Sequence, residues 1–347
     1  MKIELKDGAG GRAMDTIIKE LVLKTFNSSD IEVPLSELDD SAVIDGIAFT
    51  TDSYIVKPIF FPGGDIGKLS ICGTVNDLSM IGAKPMALSA GVVLEEGFEV
   101  EDFKKILKSM GKTATEATVK VITGDLKVVE KGGLNSILIN TSGIGREDPN
   151  LKSNFEILKS YRTGKSKWLL DSNLVDGDVI IVSGYIGDHG VAILSSREGY
   201  GFESSVKSDT APLNHMIHKV LEIGGIVAAK DPTRGGLANT LNEWSEKSKV
   251  GMLIEEEKIP IRESVKAACE LLGIDPLQIG NEGKAVIAVL PDYVDSVLKA
   301  LHSTEEGKNA QVIGTAHKNM EYVVLETEVG GQRILEKPIG DPIPRIC

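Results

Sequence analysis

The chain is poor in the residues that build most metal and redox centres. Its 347 residues include three cysteines, Cys72, Cys269 and Cys347, and five histidines. No two cysteines are close enough for a CxxC motif, which excludes a zinc ribbon or a dithiol redox site of that type. His215 and His218 are three apart on a predicted helix and could share a metal, but no third ligand is nearby. Three scattered cysteines without an export signal fit a reducing cytoplasm. No stretch of about 18 apolar residues is present, so no transmembrane helix is expected. The opening Met1-Lys2-Ile3-Glu4-Leu5-Lys6-Asp7 lacks the apolar core of a signal peptide.

Familiar catalytic and phosphate motifs are missing as well. Gly63-Gly64-Asp65-Ile66-Gly67-Lys68-Leu69-Ser70 comes near a Walker A loop, but Pro62 takes the first glycine position and Leu69 the hydroxyl position. No GxGxxG follows a strand, and no GxSxG elbow occurs. A nucleotide, if bound, is held by neither a P-loop nor a Rossmann turn. The net charge of −13 disfavours non-specific binding to nucleic acid or anionic membrane.

What is present belongs to an ordinary globular protein, with 41% apolar and 26% charged residues. At roughly 150 residues per domain the length predicts two domains. Apolar spacing predicts a helix from Met14 to Phe26, helices over 67–80 and 101–117, and a hairpin of 41–44 with 47–51 about the Asp45-Gly46 turn. Short strands are expected at 87–94, 119–122 and 136–139. A polar segment, 150–174, marks the domain boundary near its start. Beyond it come strands at 178–183, 285–290 and 322–325, and helices at 187–197, 212–223 and 236–247. The mixture is α/β or α+β. The assigned units are 1–150, 151–330 and a tail, 331–347, whose Pro338, Gly340, Asp341, Pro342 and Pro344 forbid a helix. Such a tail is mobile unless docked.

Acidic residues recur in polar or glycine-rich stretches read as loops: Asp39-Asp40-Ser41, Thr50-Thr51-Asp52-Ser53, Asn76-Asp77, Thr123-Gly124-Asp125 and Asp231-Pro232-Thr233-Arg234-Gly235-Gly236. One such residue is ordinarily a cap or turn former. Five sets together suit a hard cation such as Mg²⁺ carrying phosphates. Lys127 follows one of these loops, and Glu282 sits between glycines in Gly280-Asn281-Glu282-Gly283-Lys284; either could handle a ligand or be a solvated charge. His189, at a strand-to-helix turn, could touch a ligand or simply start the helix. Cys347 is the last residue, on a proline-stiffened arm. A thiol placed there could carry a covalently attached group, or be incidental.

Nine segments carry a family resemblance: GAGGR at 8–12, DDSAV at 39–43, TTDSYIVKPIFFPGGDIGKL at 50–69, GTVNDLSMIGAKP at 73–85, TGDLKVVE at 123–130, SGYIGDHGVAILSSREG at 183–199, DPTRGGLANTLNEW at 231–244, GNEGK at 280–284 and DPIPRIC at 341–347. With them the chain resembles the HypE family of hydrogenase-maturation proteins, in the PurM-like superfamily of aminoimidazole-ribonucleotide synthetase and selenophosphate synthetase. The terminal cysteine singles out that family. The resemblance implies a two-domain PurM-like fold with a flexible tail, a homodimer, ATP and Mg²⁺. It implies Asp40, Asp77 and Asp231 as metal ligands, and Thr51, Asp52, Asn76, Asp77, Gly124, Asp125 and Arg234 near the nucleotide. Cys347, Lys127 and Glu282 are the implied catalytic residues. Leu126 departs from the pattern, which often has Thr there.

The implied activity is an ATP-dependent carbamoyl dehydratase. A carbamoyltransferase, HypF, loads Cys347; ATP phosphorylates the carboxamide oxygen; loss of phosphate leaves a thiocyanate, whose cyanide passes to iron on a HypC–HypD complex. Two alternatives stand beside it. One is another enzyme of the superfamily, of the selenophosphate or thiamine-phosphate type. The other is a non-catalytic scaffold that docks through its tail. Gly8-Ala9-Gly10-Gly11 lacks the reactive cysteine usual in selenophosphate synthetases.

Overall fold

A computed structural model describes residues 2–26, 30–197, 205–340, 342–343 and 346–347. Asp341, Pro344 and Arg345 of the tail motif, and the Glu198-Gly199 end of the 183–199 segment, lie outside them. In chain order the strands are β1 Ala42–Ile44, β2 Ile47–Tyr54, β3 Phe60–Phe61, β4 Gly64–Asp65, β5 Ala83–Glu95, β6 Lys120–Val129, β7 Ile137–Glu147, β8 Val179–Val182, β9 Ile226–Lys230, β10 Gly251–Glu255, β11 Val286–Val289, β12 Gln311–His317, β13 Val323–Glu326 and β14 Gln332–Ile334. The α-helices are α1 Gly11–Ile17, α2 Leu23–Thr25, α3 Ile66–Met80, α4 Val100–Glu116, α5 Leu151–Tyr161, α6 Asp188–Ser195, α7 Asn214–Ile223, α8 Gly236–Ser248, α9 Glu263–Leu272 and α10 Val294–His302.

The first sheet runs β1-β2-β7-β5-β6, with only the β5–β6 pair parallel. β2 alternates as a half-buried strand should, with Ala48, Thr50 and Tyr54 turned inward. Helix α3 lies on that inner face. A Cβ at Gly73 would stand 2.2 Å from the Tyr54 hydroxyl, so glycine is what lets helix and strand approach. The opposite face of the sheet is open and carries Ile47 and Phe49 as exposed apolar residues, whereas Val121, Leu126 and Val128 of β6 pair with the buried Leu88, Val92 and Leu94 and so stand exposed at the edge of the helix-bearing face.

The acidic stretches at 50–53 and 123–125 are not the loops the sequence predicts but lie within β2 and β6. In β6 the sequence alternation fails because residues 120–128 are all exposed, so neither face imposes a pattern. Gly124 is glycine for packing, since a Cβ there would meet the Ala90 carbonyl oxygen at 2.2 Å.

The second sheet runs β14-β13-β10-β12-β8-β11-β9. β8 and β11 near its centre read as unbroken apolar runs because both faces are covered. On one side Ile217, Val220 and Val297 of α7 and α10 pack in one cluster; on the other, Leu237, Leu241 and Trp244 of α8 pack in another. Helix α5 occupies the polar segment after residue 150, with Leu151, Asn154 and Leu158 inward.

The chain ends meet. The N–H groups of Arg12 and Ala13, in the first turn of α1, donate to the carbonyls of Pro338 (3.0 Å) and Ile339 (3.1 Å). Lys337 pairs with Asp15 (2.6 Å) and Glu246 (3.1 Å). Residues 332–334 form edge strand β14, all exposed, so no apolar pattern announces it. Past this clasp the tail turns inward, and Ile343 and Ile346 are buried in the same cluster as Ile193, Val265 and Ile279. Among the described residues no helix is long and apolar enough to cross a membrane.

Candidate functional site

A cavity of about 570 Å³ opens between the two sheet units. β2 supplies Thr50, Thr51 and Asp52, and α3 supplies Asp77. Asp39 and Asp40 enter from the segment before β1. From the second unit comes the turn between β9 and α8, with Asp231, Thr233 and Arg234. Gly235 and Gly236 close that turn at φ +78° and +60°, values that favour glycine. Glu282 and the tail end, Cys347, complete the wall.

The carboxylates crowd. Burial, then the charges of Asp231 and Asp52, push Asp77 well above the ordinary carboxylate range, although the Thr50 hydroxyl donates to it at 2.8 Å. Burial, then Asp40 and Glu282, raise Asp231 in the same sense. Burial lifts Asp40 to about 6, opposed by Lys230 at 3.1 Å. Burial and Asp171 lift Asp39 to about 8. Against the upward push of burial, Lys230 and Lys247 draw Asp171 down to about 2. Glu282 is also raised, by burial first and then by Asp209.

Several carboxylate oxygens here are buried without a hydrogen-bond partner: Asp39 Oδ2, Asp171 Oδ1, Asp231 Oδ2 and Glu282 Oε1. Oxygen donors left unsatisfied in this way suit a hard cation. Among the described residues no group of three or more His, Cys, Asp or Glu is preassembled around a single ion position.

Positive charge comes from residues the sequence reading passed over. Lys230 contacts Asp40 (3.1 Å), Asp171 (3.1 Å) and Glu243 (3.3 Å). Lys247 reaches Asp171 at 2.6 Å. The available signal was a lysine closing the apolar run Ile226-Val227-Ala228-Ala229, a charge pointing where a core residue belongs. The Arg234 guanidinium is held firmly charged, first by Cys347, against burial, with Asp52 adding from 3.9 Å.

The structure thus brings Cys347, Glu282, Thr51, Asp52, Asp77, Arg234, Asp40 and Asp231 together around one cavity. Asn76 is elsewhere. It is fully buried, its amide donating to the carbonyls of Ala211 (3.2 Å) and Glu282 (3.4 Å) and accepting from Leu213 N–H (2.8 Å). Its amide is spent on positioning the 211–213 turn and the backbone of Glu282. Gly124, Asp125 and Lys127 sit on the exposed edge strand β6, outside the cavity lining.

His215 and His218 form no metal site. His215 Nε2 lies 3.0 Å from the Glu116 carbonyl, and His218 Nδ1 lies 2.7 Å from Asp148. Cys72 and Cys269 are buried thiols, and burial pushes the Cys269 thiol up to about 11.

The whole chain resembles known proteins. Residues 38–146 match the N-terminal domain model of AIR synthase related proteins, and residues 175–325 match the C-terminal domain model. The chain is 49% identical to a putative hydrogenase expression/formation protein of Methanocaldococcus jannaschii, over the full length of both. It is 42% identical to the carbamoyl dehydratase HypE of Rhizobium leguminosarum bv. viciae, covering 100% of this chain and 95% of that one. Among solved structures, a HypE–HypF complex matches with a TM-score of 0.83 at 46% identity, covering 93% of this chain and 99% of that one. A HypE structure in complex with ATP matches with a TM-score of 0.79 at 40% identity, covering both chains fully.

Proposed function

The chain belongs to the AIR synthase related family, in its HypE branch, and on that premise we propose how its residues carry the chemistry. It is an ATP-dependent carbamoyl dehydratase of hydrogenase maturation. The observation that carries the residue-level reading is that Cys347, the last residue, lines the same cavity as Asp52, Asp77, Asp231, Arg234 and Glu282.

In this reading HypF loads a carbamoyl group onto the Cys347 sulfur. The carboxamide oxygen attacks the γ-phosphorus of ATP, and ADP leaves. One N–H proton goes to Glu282. The C–O bond then breaks with the oxygen on phosphate, and the departing phosphate takes the second N–H proton as the C≡N bond closes. The sum is thiocarbamate plus ATP giving thiocyanate, ADP and inorganic phosphate. Phosphorylation is needed because a bare amide oxygen is a poor leaving group. The HypC–HypD complex receives the cyanide for the iron of [NiFe]-hydrogenase, and the cytoplasm is the compartment.

Glu282 suits its role because burial gives its carboxylate a proton affinity well above the ordinary value. Arg234, beside both Cys347 and Asp52, holds the tail end and the nucleotide side of the cavity in register. Thr51 and Asp52 line the nucleotide's path. The unsatisfied oxygen of Asp231 is open to Mg²⁺, Asp40 and Asp77 would close around the ion when it arrives with the nucleotide, and a bound cation there would offset charge on the transferring phosphoryl group.

Gly124, Asp125 and Lys127 serve the cavity of a second copy. Their strand is an open edge, and its exposed Val121, Leu126 and Val128 are the kind of apolar surface a homodimer covers. Leu126, 56% exposed on the same strand, brings no hydroxyl to phosphate and belongs to that interface.

The test is Glu282→Gln. With HypF, carbamoyl phosphate and ATP, mass spectrometry of the C-terminal peptide should show the carbamoyl adduct accumulating on Cys347 with dehydration slowed by on the order of 10²-fold or more. Dehydration at the wild-type rate would remove Glu282 from the mechanism.

A further inference from the structure

His189 is fully buried at the start of α6, yet the chemistry above does not use it. Its Nε2 lies 2.7 Å from the carbonyl oxygen of Ile346, 157 residues away and one peptide before Cys347. A carbonyl only accepts, so Nε2 carries the proton and donates. Nδ1 is then an acceptor, 2.8 Å from the Ser208 hydroxyl. Ser208 in turn accepts from the Thr210 N–H at 3.1 Å and lies 2.6 Å from the Thr210 hydroxyl. The donors therefore run one way, from Thr210 through Ser208 and the ring to the tail.

The ring is also fixed sterically. Phe61 meets it edge-on, with centroids 5.6 Å apart at 88°. Burial holds the imidazole neutral, opposed by Asp209 and reinforced by Arg197, which matches a ring that donates on one side only.

The tail groove beside it is shaped by glycines. A Cβ at Gly280 would stand 2.7 Å from Ile346 Cδ1, and one at Gly190 would stand 3.0 Å from Ile343 Cδ1. The two isoleucines anchor the tail by apolar contact, which is non-directional. The imidazole–carbonyl bond is directional. It fixes the last peptide plane, and with it the direction in which Cys347 leaves the groove toward the cavity.

We infer that His189 is a positioning residue that latches the Ile346 carbonyl and so sets the reactive pose of the tail thiol. The inference rests on the reading that Cys347 carries the substrate. Loading by HypF needs the tail accessible, whereas dehydration needs it docked, so the latch affects the two steps oppositely.

The test compares His189→Leu, which removes the donor, with His189→Gln, whose amide restores one, in the full-length chain. Carbamoyl loading by HypF, single-turnover dehydration after ATP addition, and iodoacetamide labelling of unloaded Cys347 are followed by mass spectrometry. For His189→Leu, dehydration should fall roughly tenfold, as for loss of one buried hydrogen bond, while labelling rises and loading is equal or faster. His189→Gln should recover part of the dehydration rate. Wild-type dehydration in His189→Leu, or loading and dehydration falling by the same factor, overturns the latch. If His189→Leu does not fold, Ser208→Ala decides: it frees the ring's tautomer and should slow dehydration several-fold at unchanged loading, and an unchanged rate overturns the latch. Wild-type protein that loads but never dehydrates refutes the assigned function instead.

Discussion

Replacing Ile346 with Ala tests whether the tail docks as a separable arm. Ile346 is 2% exposed in its groove. The change removes three carbons, worth about 0.8 kcal/mol each when buried, or ~2.4 kcal/mol in all. Where that loss falls depends on what holds the tail. The clasp at Lys337, Pro338 and Ile339 binds α1 independently of Ile346, so the loss should fall on docking of residues beyond 339 and leave global unfolding nearly unchanged. A loss of ~2.4 kcal/mol weakens the docking equilibrium by about 50-fold. Once the docked pose is the minor one, dehydration slows in proportion. The assay is single-turnover dehydration of HypF-loaded protein, followed by mass spectrometry, alongside a urea melt. The expected result is slow dehydration, undiminished loading and an unshifted melt. A melt destabilised by the full amount, with dehydration per folded molecule unchanged, would show that Ile346 is an ordinary core residue and refute the separable arm.

Two further predictions concern protons and the second copy. Asp39 and Asp40 stand at about 8 and about 6 in the folded chain against an ordinary 3.8, so between pH 4 and 8 the folded state binds more protons than the unfolded one. Urea midpoints of the ligand-free protein should therefore fall as pH rises through that window, and a rising midpoint would contradict the buried-carboxylate account. If Lys127 acts in the cavity of the second copy, an equal mixture of Lys127→Ala and Glu282→Gln chains, refolded together, should regain about a quarter of wild-type dehydration from its mixed dimers. An inactive mixture that has exchanged subunits would place Lys127 in its own chain's site or in none.

The sequence made α4 and the β1–β2 hairpin legible because each has one strong local cause: apolar periodicity in the helix and the Asp45-Gly46 turn in the hairpin. It misled at β6, where Gly124-Asp125 looks like a loop. An edge strand exposed along both faces has no alternation to show, and its glycine answers to the Ala90 carbonyl. Asn76 was legible as a special polar residue but not as a buried one, since its partners lie more than 130 residues away. Lys230 was hidden among 38 basic residues, and only its place at the end of an apolar strand distinguishes it. The partnership of His189 with Ile346 could not be read at all, because it joins the second unit to the tail across 157 residues.

The proposed chemistry turns on the carboxamide oxygen leaving as phosphate. It is tested most directly by loading Cys347 with carbamoyl groups carrying heavy oxygen, adding ATP, and measuring the isotope in inorganic phosphate and in water after one turnover. One labelled oxygen should appear in phosphate for each thiocyanate formed on the C-terminal peptide. Unlabelled phosphate, with the heavy oxygen recovered in water, would contradict this chemistry.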